Sequence, residues 1–286
     1  MNDEFPLERL ADEGFWRTRF PALTIGAPQD DFAARALASA ARGKADDRMR
    51  REGYFQGTDP GLIGLATPLA GAISELAAAG APPVLAFLFD QAWAAFNRQT
   101  RIIASLLGPG YQVLPDFWAW HVDPRGGEAG WRPHRDRGFA ALAPDKTPMS
   151  LTVWIPLTSA VPDNSCMYIL PADKDPTYGT PQDGQYRVDL PAIRALPVEP
   201  GDWLCWNQAV LHWGSQTSHF AASPRMSMAL EFQRGTMAPL NTPLLGTLPA
   251  PAFDARLRLI CKQILQYAHM YPLKPELAAV AKGLIR

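Results

Sequence analysis

The sequence predicts a mainly β protein with flanking helices and a double-stranded β-helix core, the jelly-roll architecture of cupin-like proteins. Three observations favour this fold class. Short strand-like segments follow one another through residues 111–235 without a helical pattern between them. Loops containing Pro, Asp and Gly separate these segments, and the chain has 28 prolines. Helical spacing of apolar residues occurs before and after this region, which places the helices on its flanks.

The composition is that of a globular protein. Hydrophobic residues make up 47% of the 286 residues and charged residues 19%, which argues against a disordered chain. The length allows one large domain or two small ones, and we expect a single domain over residues 1–286. Lys and Arg number 27 against 28 Asp and Glu, so no basic surface for nucleic acid is predicted.

Cysteine use and the N-terminus bear on localisation. The chain has three widely spaced cysteines, Cys166, Cys205 and Cys261, and this odd number argues against a disulfide framework. The first residues are acidic and lack the apolar run of a secretory signal. Gly, Pro and Ser interrupt the apolar stretches before the ~18 residues that a membrane span needs. These features predict a cytoplasmic protein without a membrane partner, and they leave the oligomeric state open.

Residues 1–110 are predicted to form a mainly helical preface with one leading strand. The Ala-rich segment after Asp30 and Asp31 has capping carboxylates and a helical composition. Gly80 and the run that starts at Gly108 are stop signals for two further helices. In chain order, the expected elements are a helix over residues 32–41, a strand near 51–58, and helices over 61–80 and 83–107.

Residues 111–235 are predicted to form the jelly-roll core, and residues 236–286 a C-terminal helical extension. The connection over residues 172–200 is long enough to lie over the barrel mouth, and we expect it to select the substrate together with the preface. The extension has helical spacing of apolar residues and should pack behind the sheet. Aromatic and β-branched runs bounded by turn residues predict strands at 111–122, 150–157, 166–170, 203–207 and 226–234.

A metal site is predicted from two histidines and one aspartate. His134 and Asp136 stand at positions i and i+2, so on a strand their side chains would point the same way. His212 would join them from a distant strand. Two imidazoles and one carboxylate leave the other side of a metal open, as in non-haem Fe(II) oxygenases. The pattern predicts His134, Asp136 and His212 as metal ligands and as the catalytic centre.

Arg225 and Ser227 are predicted to bind the carboxylate of a cosubstrate. They alternate with the apolar residues of a strand that includes Met226, so they should face the barrel interior. A buried guanidinium needs an anion, and its fork of N–H groups matches a carboxylate. With a hydroxyl beside it, this arrangement suits a small dicarboxylate such as 2-oxoglutarate.

A series of further motifs accompanies these residues. In chain order, the series is His134-x-Asp136, Trp154 to Leu157, Asn164 to Pro171, Gly201-Asp202, His212 and Arg225-x-Ser227. With this series the chain resembles the phytanoyl-CoA dioxygenase family of Fe(II)- and 2-oxoglutarate-dependent oxygenases. The resemblance implies Fe(II) as the metal, 2-oxoglutarate and O2 as cosubstrates, and hydroxylation of a small molecule with release of succinate and CO2. The chain departs from the family at Ser165, where Gly is common, which leaves the local loop shape and the substrate class open.

Aromatic residues near the predicted ligands are candidates for the substrate pocket. Trp131 stands three residues before His134, Trp213 directly follows His212, and His121 precedes the loop that leads to His134. Aromatic walls would exclude water from a reactive metal site. Most of the nine tryptophans are better explained as ordinary core residues. We predict His121, Trp131 and Trp213 as pocket residues.

Two other functions remain open at this level. A non-catalytic jelly-roll module would bind a small ligand, with histidines that have no catalytic role. A cupin-type metalloenzyme would use another divalent metal without 2-oxoglutarate. Neither alternative requires a guanidinium beside a hydroxyl inside the barrel, so Arg225 and Ser227 distinguish them from the oxygenase.

Overall fold

The structure is a computed structural model that describes residues 5–28, 39–247 and 250–285. Its strands are β1 (Tyr54–Thr58), β2 (Gln112–Val122), β3 (Ser150–Pro156), β4 (Met167–Leu170), β5 (Arg194–Leu196), β6 (Asp202–Asn207), β7 (Leu211–Gly214) and β8 (Arg225–Gln233). Its helices are α1 (Glu13–Arg19), α2 (Ser39–Arg51), α3 (Ile63–Ala78), α4 (Asp90–Asn97), α5 (Thr100–Leu107), α6 (Phe253–Gln266) and α7 (Pro275–Leu284).

The strands form two antiparallel sheets that pack against each other. Five strands pair in the order β1-β6-β3-β8-β2, and three pair in the order β5-β4-β7. Buried side chains of both sheets form one cluster, with Trp154 and Leu204 from the large sheet and Ile169 from the small one. Two sheets packed in this way are a jelly roll. The predicted fold class, a jelly-roll core with flanking helices, is confirmed.

The two faces of the large sheet differ in polarity because side chains alternate along each strand. Val153 of β3 and Leu230 of β8 point into the main hydrophobic core, to which α3, α6 and the 3-10 turn Pro83–Leu88 contribute. On the opposite face, the same two strands carry Thr152 and Ser227, which are buried. The helices therefore cover the outer face of the sheet, and polar groups collect inside the barrel.

The preface contains most of the predicted elements, with one correction. The strand expected near residues 51–58 is β1, which pairs with β6, and the helix expected over 61–80 is α3. The single helix predicted over 83–107 is wrong, because this segment divides into a 3-10 turn, α4 and α5. The helix predicted over residues 32–41, with its caps Asp30 and Asp31, falls mostly outside the described residues.

The break before α4 has a clear physical cause. The carboxylate of Asp90, at the start of α4, accepts hydrogen bonds from the backbone N–H groups of Gly26 and Ala27, at 3.0 and 2.8 Å. Arg256 of α6 donates to the same carboxylate at 2.5 Å. These long-range contacts hold the chain at the break, and no periodicity within residues 83–107 could reveal them.

The C-terminal extension contains α6 and α7, and both helices contribute to the main core. One apolar segment, Pro60–Ala78, satisfies the length and composition of a membrane span. It consists of a 3-10 turn and α3, and Leu69 and Ile73 of α3 are completely buried in the main core. Because the core helix of a globular domain satisfies the same criterion, this segment is not evidence that the protein crosses a membrane.

Candidate metal centre and cosubstrate anchor

A backbone bridge brings the two candidate histidine ligands together. The N–H group of His134 donates to the carbonyl of His212, and the N–H group of His212 donates to the carbonyl of His134, both at 3.0 Å. The segment around His134 is extended chain with this single bridge to β7, and it is not one of the strands defined above. Residues paired in this way have side chains on the same face, so the imidazole rings lie 4.4 Å apart between centroids.

The donor atoms of the three predicted ligands converge. The Nε2 atoms of His134 and His212 both lie 3.4 Å from Asp136 Oδ1, and all three atoms fall within 4.8 Å of one another. The Nδ1 atoms of the two rings face the carbonyl oxygens of Arg132 and Val210, at 2.7 and 3.1 Å. Since a carbonyl oxygen only accepts, Nδ1 carries the proton in each ring. In the neutral form of each ring, the Nε2 lone pair is therefore available for a metal.

The second oxygen of Asp136 is held by two donors. Thr152 Oγ1 and Trp206 Nε1 donate to Asp136 Oδ2 at 2.6 and 2.9 Å. Gln208 Nε2 in turn donates to Thr152 Oγ1 at 3.2 Å. These contacts fix the carboxylate so that Oδ1 points at the histidines. Hydrogen bonds of this kind orient the first ligands of protein metal sites.

The protonation of these groups suits a metal site. Burial alone would raise the pKa of Asp136, but the two imidazoles and the hydrogen bonds to the carboxylate hold that pKa well below its ordinary value. Burial lowers the pKa of His212 to about 4, so this ring is neutral at neutral pH. Burial also works against protonation of His134, yet its contact with Asp136 outweighs burial and raises the pKa of this histidine. The donor set is an anionic carboxylate with two imidazoles.

Arg225, the first residue of β8, is a buried cation that has no carboxylate partner in the described part of the chain. Its side chain is 1% exposed, and burial lowers its pKa to about 10, so it remains charged at neutral pH. Its Nη1 atom donates to Ser227 Oγ at 2.6 Å, and its Nε atom donates to the carbonyl of Ser165 at 3.0 Å. Within the described residues, no Asp or Glu forms an ion pair with Arg225. Since a buried charge is costly without a counter-ion, this site fits an anionic ligand.

Ser165 links this anchor to the segment that carries the metal ligands. Its Oγ atom accepts from the backbone N–H group of Gly130 at 2.9 Å and from Arg225 Nη2 at 3.4 Å. A Cβ atom on Gly130 would lie 2.6 Å from the Cα atom of Gly214, so a side chain does not fit at this crossing. The sequence identified Ser165 as a departure from the family, whereas the structure places it in direct contact with the guanidinium.

A cavity beside the ligands contains one of the three predicted pocket residues. Trp131 lines this cavity, and its ring lies 5.9 Å from the His134 ring. His121 instead lines an adjoining surface groove that shares Trp131 with the cavity, and Trp213 stacks on Tyr168 at 6.0 Å. Neither of these two lines the cavity. Trp213 does not line the cavity because side chains alternate between the two faces of β7, so Trp213 points away from the side that His212 faces.

The remaining walls of the cavity come from residues that sequence reasoning missed. Trp118 and Trp120 of β2, Glu231 of β8 and Tyr267 after α6 line it. The lining includes no residue of the connection 172–200, which was expected to select the substrate. The alternation of β8 places Glu231 on the same face as Arg225, and this signal could have identified it. No sequence pattern connects Tyr267 with the site, because it comes from the C-terminal extension.

The fold and the candidate ligands define a class of protein: jelly rolls with three converging side chains that could hold one metal ion. Among solved structures, the chain is similar to the non-heme monooxygenase ThoJ in its nickel complex, with a TM-score of 0.56, 18% identity, and coverage of 79% of this chain and 97% of that chain. It is similar to apo ThoJ with a TM-score of 0.57, 16% identity, and coverage of 84% and 98%. AviO1 from Streptomyces viridochromogenes Tue57 matches with a TM-score of 0.52, 17% identity, and coverage of 73% and 100%.

At these identities the structural likeness establishes the fold alone, and no curated protein matches the chain significantly. The family is established by the sequence itself. The model of the phytanoyl-CoA dioxygenase (PhyH) family matches residues 21–223, which is most of the chain. The chain belongs to the phytanoyl-CoA dioxygenase family, a family of Fe(II)- and 2-oxoglutarate-dependent oxygenases, and it is an enzyme of this class.

Proposed function

We propose that the protein hydroxylates a small molecule, with Fe(II) held by His134, Asp136 and His212 and with 2-oxoglutarate held by Arg225 and Ser227. The donor set fits Fe(II) because two imidazoles and one carboxylate bind on one side and leave positions for cosubstrate and O2. When bound, the iron would activate O2 for oxygen transfer to the substrate, while 2-oxoglutarate is converted to succinate and CO2.

The observation that supports the proposal is a buried guanidinium inside the barrel for which the described residues supply no carboxylate. Arg225 is buried and lacks a carboxylate partner among the described residues, while Ser227 Oγ lies 2.6 Å from it. The far carboxylate of 2-oxoglutarate would supply the missing anion through charge-assisted hydrogen bonds. If the protein were a metalloenzyme that works without 2-oxoglutarate, this buried charge would have no explanation.

The residues around the ligands have separate roles in the proposed reaction. Thr152 and Trp206 hold Asp136 in the orientation that binds the metal, since both donate to its Oδ2 atom. Trp131 and the other aromatic walls exclude water from the site, which protects a reactive oxidant from unproductive reduction. The protein thus contributes geometry and a dry pocket, and the substrate is positioned by the cavity walls.

An anaerobic titration tests this proposal against its two alternatives. Protein loaded with Fe(II) should bind 2-oxoglutarate and develop a visible metal-to-ligand absorption band, which succinate, as a control, should not produce. Under O2, a metabolite screen for succinate release should then find the substrate. Iron binding without 2-oxoglutarate binding would favour the cupin-type metalloenzyme. Binding of neither would favour the non-catalytic ligand-binding module.

A further inference from the structure

The cavity beside the metal ligands contains a second group of buried charges. Asp116 of β2 and Glu231 of β8 flank Arg137, whose Nη2 atom donates to Asp116 Oδ2 and to Glu231 Oε2, both at 2.9 Å. Asp116 is completely buried, and its other oxygen accepts from the side-chain amides of Asn241 and Gln266, both at 2.7 Å. Asp116 therefore has partners on both of its oxygens.

Glu231 differs because one of its oxygens is open. Its Oε2 atom accepts from Arg137, whereas Oε1 has no hydrogen-bond donor among the residues that the structure describes. Glu231 lines the cavity, and 12% of its side chain remains accessible. A carboxylate oxygen is a strong acceptor, so this atom is available to a donor group of a ligand in the cavity.

The charges of this group do not balance when both of its carboxyls are ionised. Asp116 and Glu231 bring two negative charges when ionised, and Arg137 brings one positive charge, so one negative charge is in excess. A further cation, Lys262, contacts Asn241 Oδ1 at 2.8 Å, and Asn241 donates to Asp116 Oδ1. Lys262 therefore lies on the Asp116 side of the group, and among the described residues Arg137 is the one cation that forms an ion pair with Glu231.

Aromatic rings form the walls of the same cavity. The rings of Trp118 and Trp131 lie 5.3 and 5.0 Å from that of Tyr267, and the ring of Trp120 lies 5.0 Å from that of Trp131. Ring faces attract cations, most strongly where water is excluded. A carboxylate oxygen combined with aromatic walls is an arrangement that recognises an ammonium group.

We infer that the substrate carries a cationic amine, which binds to Glu231 between the aromatic walls of the cavity. This inference rests on the proposed function, because it assigns the substrate class of the same site. The amine would supply the missing positive charge of the group formed by Asp116, Arg137 and Glu231. Its N–H or N–CH3 groups would contact Oε1 of Glu231 and the faces of Trp118 and Tyr267.

The position of Glu231 places this amine close to the reacting centre. Glu231 pairs with Thr152 across β8 and β3, and Thr152 Oγ1 donates to Asp136 Oδ2 at 2.6 Å. Side chains of directly paired residues start about 5 Å apart. The carbon that is oxidised would therefore lie within a few bonds of the amine, which favours a small substrate.

The cosubstrate does not compete for this group. In the complex proposed above, Fe(II) and Arg225 contribute three positive charges, and Asp136 and 2-oxoglutarate contribute three negative ones. This half of the site is neutral without any substrate charge. The excess negative charge around Glu231 is thus left for the substrate itself.

The protonation of Glu231 agrees with this assignment. Burial, together with repulsion from Asp116 and Asp136, outweighs the attraction of Arg137 and raises the pKa of Glu231 to about 8. Without a ligand, the carboxyl keeps a proton at neutral pH because the second negative charge is unfavourable there. An ammonium group would take the place of that proton as the compensating positive charge.

The test uses protein loaded with Fe(II) and 2-oxoglutarate, without O2, so that ligands bind without turnover. Calorimetry would compare a panel of small primary to quaternary amines with neutral isosteres, for example butylamine with butanol and choline with its tert-butyl carbon analogue. At least one amine should bind at least about 10-fold more tightly than its isostere, as expected for a charge-assisted contact. If no amine binds, or if the isosteres bind equally well, the inference is wrong.

Variants of Glu231 identify the group responsible. Glu231→Gln should weaken binding of the preferred amine about 10- to 100-fold, and Glu231→Asp should recover part of the loss. The matched control is Glu276→Gln, the same chemical change at an exposed position of α7, which should leave amine binding at the wild-type level. Unchanged amine binding in a folded Glu231→Gln protein would overturn the assignment.

A second variant covers the case in which Glu231→Gln does not fold. Trp118→Leu removes an aromatic face without altering the charged group, and it should weaken binding of quaternary amines more than that of primary amines. An equal effect on both classes would contradict the aromatic contact.

The affinity for 2-oxoglutarate, measured in the same samples, distinguishes a failure of the proposed substrate class from a failure of the proposed oxygenase function. A wild-type protein that binds 2-oxoglutarate but no amine disproves only the substrate class.

Discussion

The inner face of β8 presents opposite charges at its two ends. At its start, Arg225 is a buried cation that no described Asp or Glu neutralises, and Ser227 is its hydrogen-bond partner. Six positions further along, Glu231 belongs to a group that has one negative charge in excess when both of its carboxyls are ionised. The two Cα atoms are about 20 Å apart on an extended strand. Both residues line the cavity that contains the metal ligands.

This difference shows how one strand can separate two small polar ligands. A dianion such as 2-oxoglutarate is attracted to the Arg225 end and repelled from the Glu231 end. A cationic substrate has the opposite preference, so each ligand is excluded from the other's position. The comparison leads to four predictions, each of which changes one part of the site.

The largest effect is expected for the metal ligands themselves. His212→Ala should abolish tight Fe(II) binding, because two remaining ligands leave the ion mostly hydrated. Iron content per chain, measured by mass spectrometry after desalting, should fall from about one to near zero in a protein that still melts cooperatively. His219→Ala, at an exposed histidine, is the matched control. Full iron occupancy in His212→Ala would remove this residue from the metal site.

The next largest effect concerns the cationic end of β8. Arg225→Ala should raise the apparent dissociation constant for 2-oxoglutarate about 10- to 100-fold, because a charge-assisted pair contributes about 1.5–3 kcal/mol. Arg225→Lys should recover only part of this loss, since an ammonium group lacks the planar fork. The anaerobic absorption band measures both constants.

Fe(II) affinity of Arg225→Ala should remain near that of the wild-type protein, which separates loss of the anchor from loss of the metal site. If Arg225→Ala binds 2-oxoglutarate as well as the wild type does, the anchor lies elsewhere and the comparison between the two ends of β8 fails. A parallel loss of amine binding would also contradict it, because the two ends are expected to act separately.

A smaller effect is expected from the donors that hold Asp136. Trp206→Phe removes the N–H group that donates to Asp136 Oδ2 at 2.9 Å while retaining an aromatic ring. Loss of such a second-layer contact should weaken Fe(II) binding about 10-fold. Trp213→Phe is the control, because Trp213 does not line the cavity. A competition assay with a chelator of known affinity measures both, and an equal effect in the two variants would argue against the role of the indole N–H.

The smallest effect is expected at Ser165. Its φ angle is 75°, a left-handed conformation that glycine adopts easily, so Ser165→Gly removes the hydroxyl without adding backbone strain. The lost hydrogen bonds to Gly130 and Arg225 should raise the apparent constant for 2-oxoglutarate about 2- to 10-fold. The melting temperature should change little. Ser223→Gly, at an exposed serine, is the control, and an unchanged constant in Ser165→Gly would limit this residue to a packing role.

Part of the site could be predicted from local sequence patterns. The alternation of polar and apolar residues in β8 correctly placed Arg225 and Ser227 on the barrel interior, because strand periodicity is a local property of the backbone. The spacing of His134 and Asp136 likewise placed two candidate ligands on one side of an extended segment. The strand-like runs between residues 111 and 235 were sufficient to predict the jelly roll.

The other features of the site depend on which distant segments of the chain pack together. The bridge between His134 and His212 aligns two rings from separate segments, and Tyr267 reaches the cavity from a helical extension that no pattern connects with the site. The role of Glu231 in ligand binding depends on its contacts with Asp116 and Arg137, which come from two other parts of the chain. Local periodicity determines the face on which a side chain lies. The neighbours that surround it, and so its charge balance and its ligand, are decided by the packing of the whole chain.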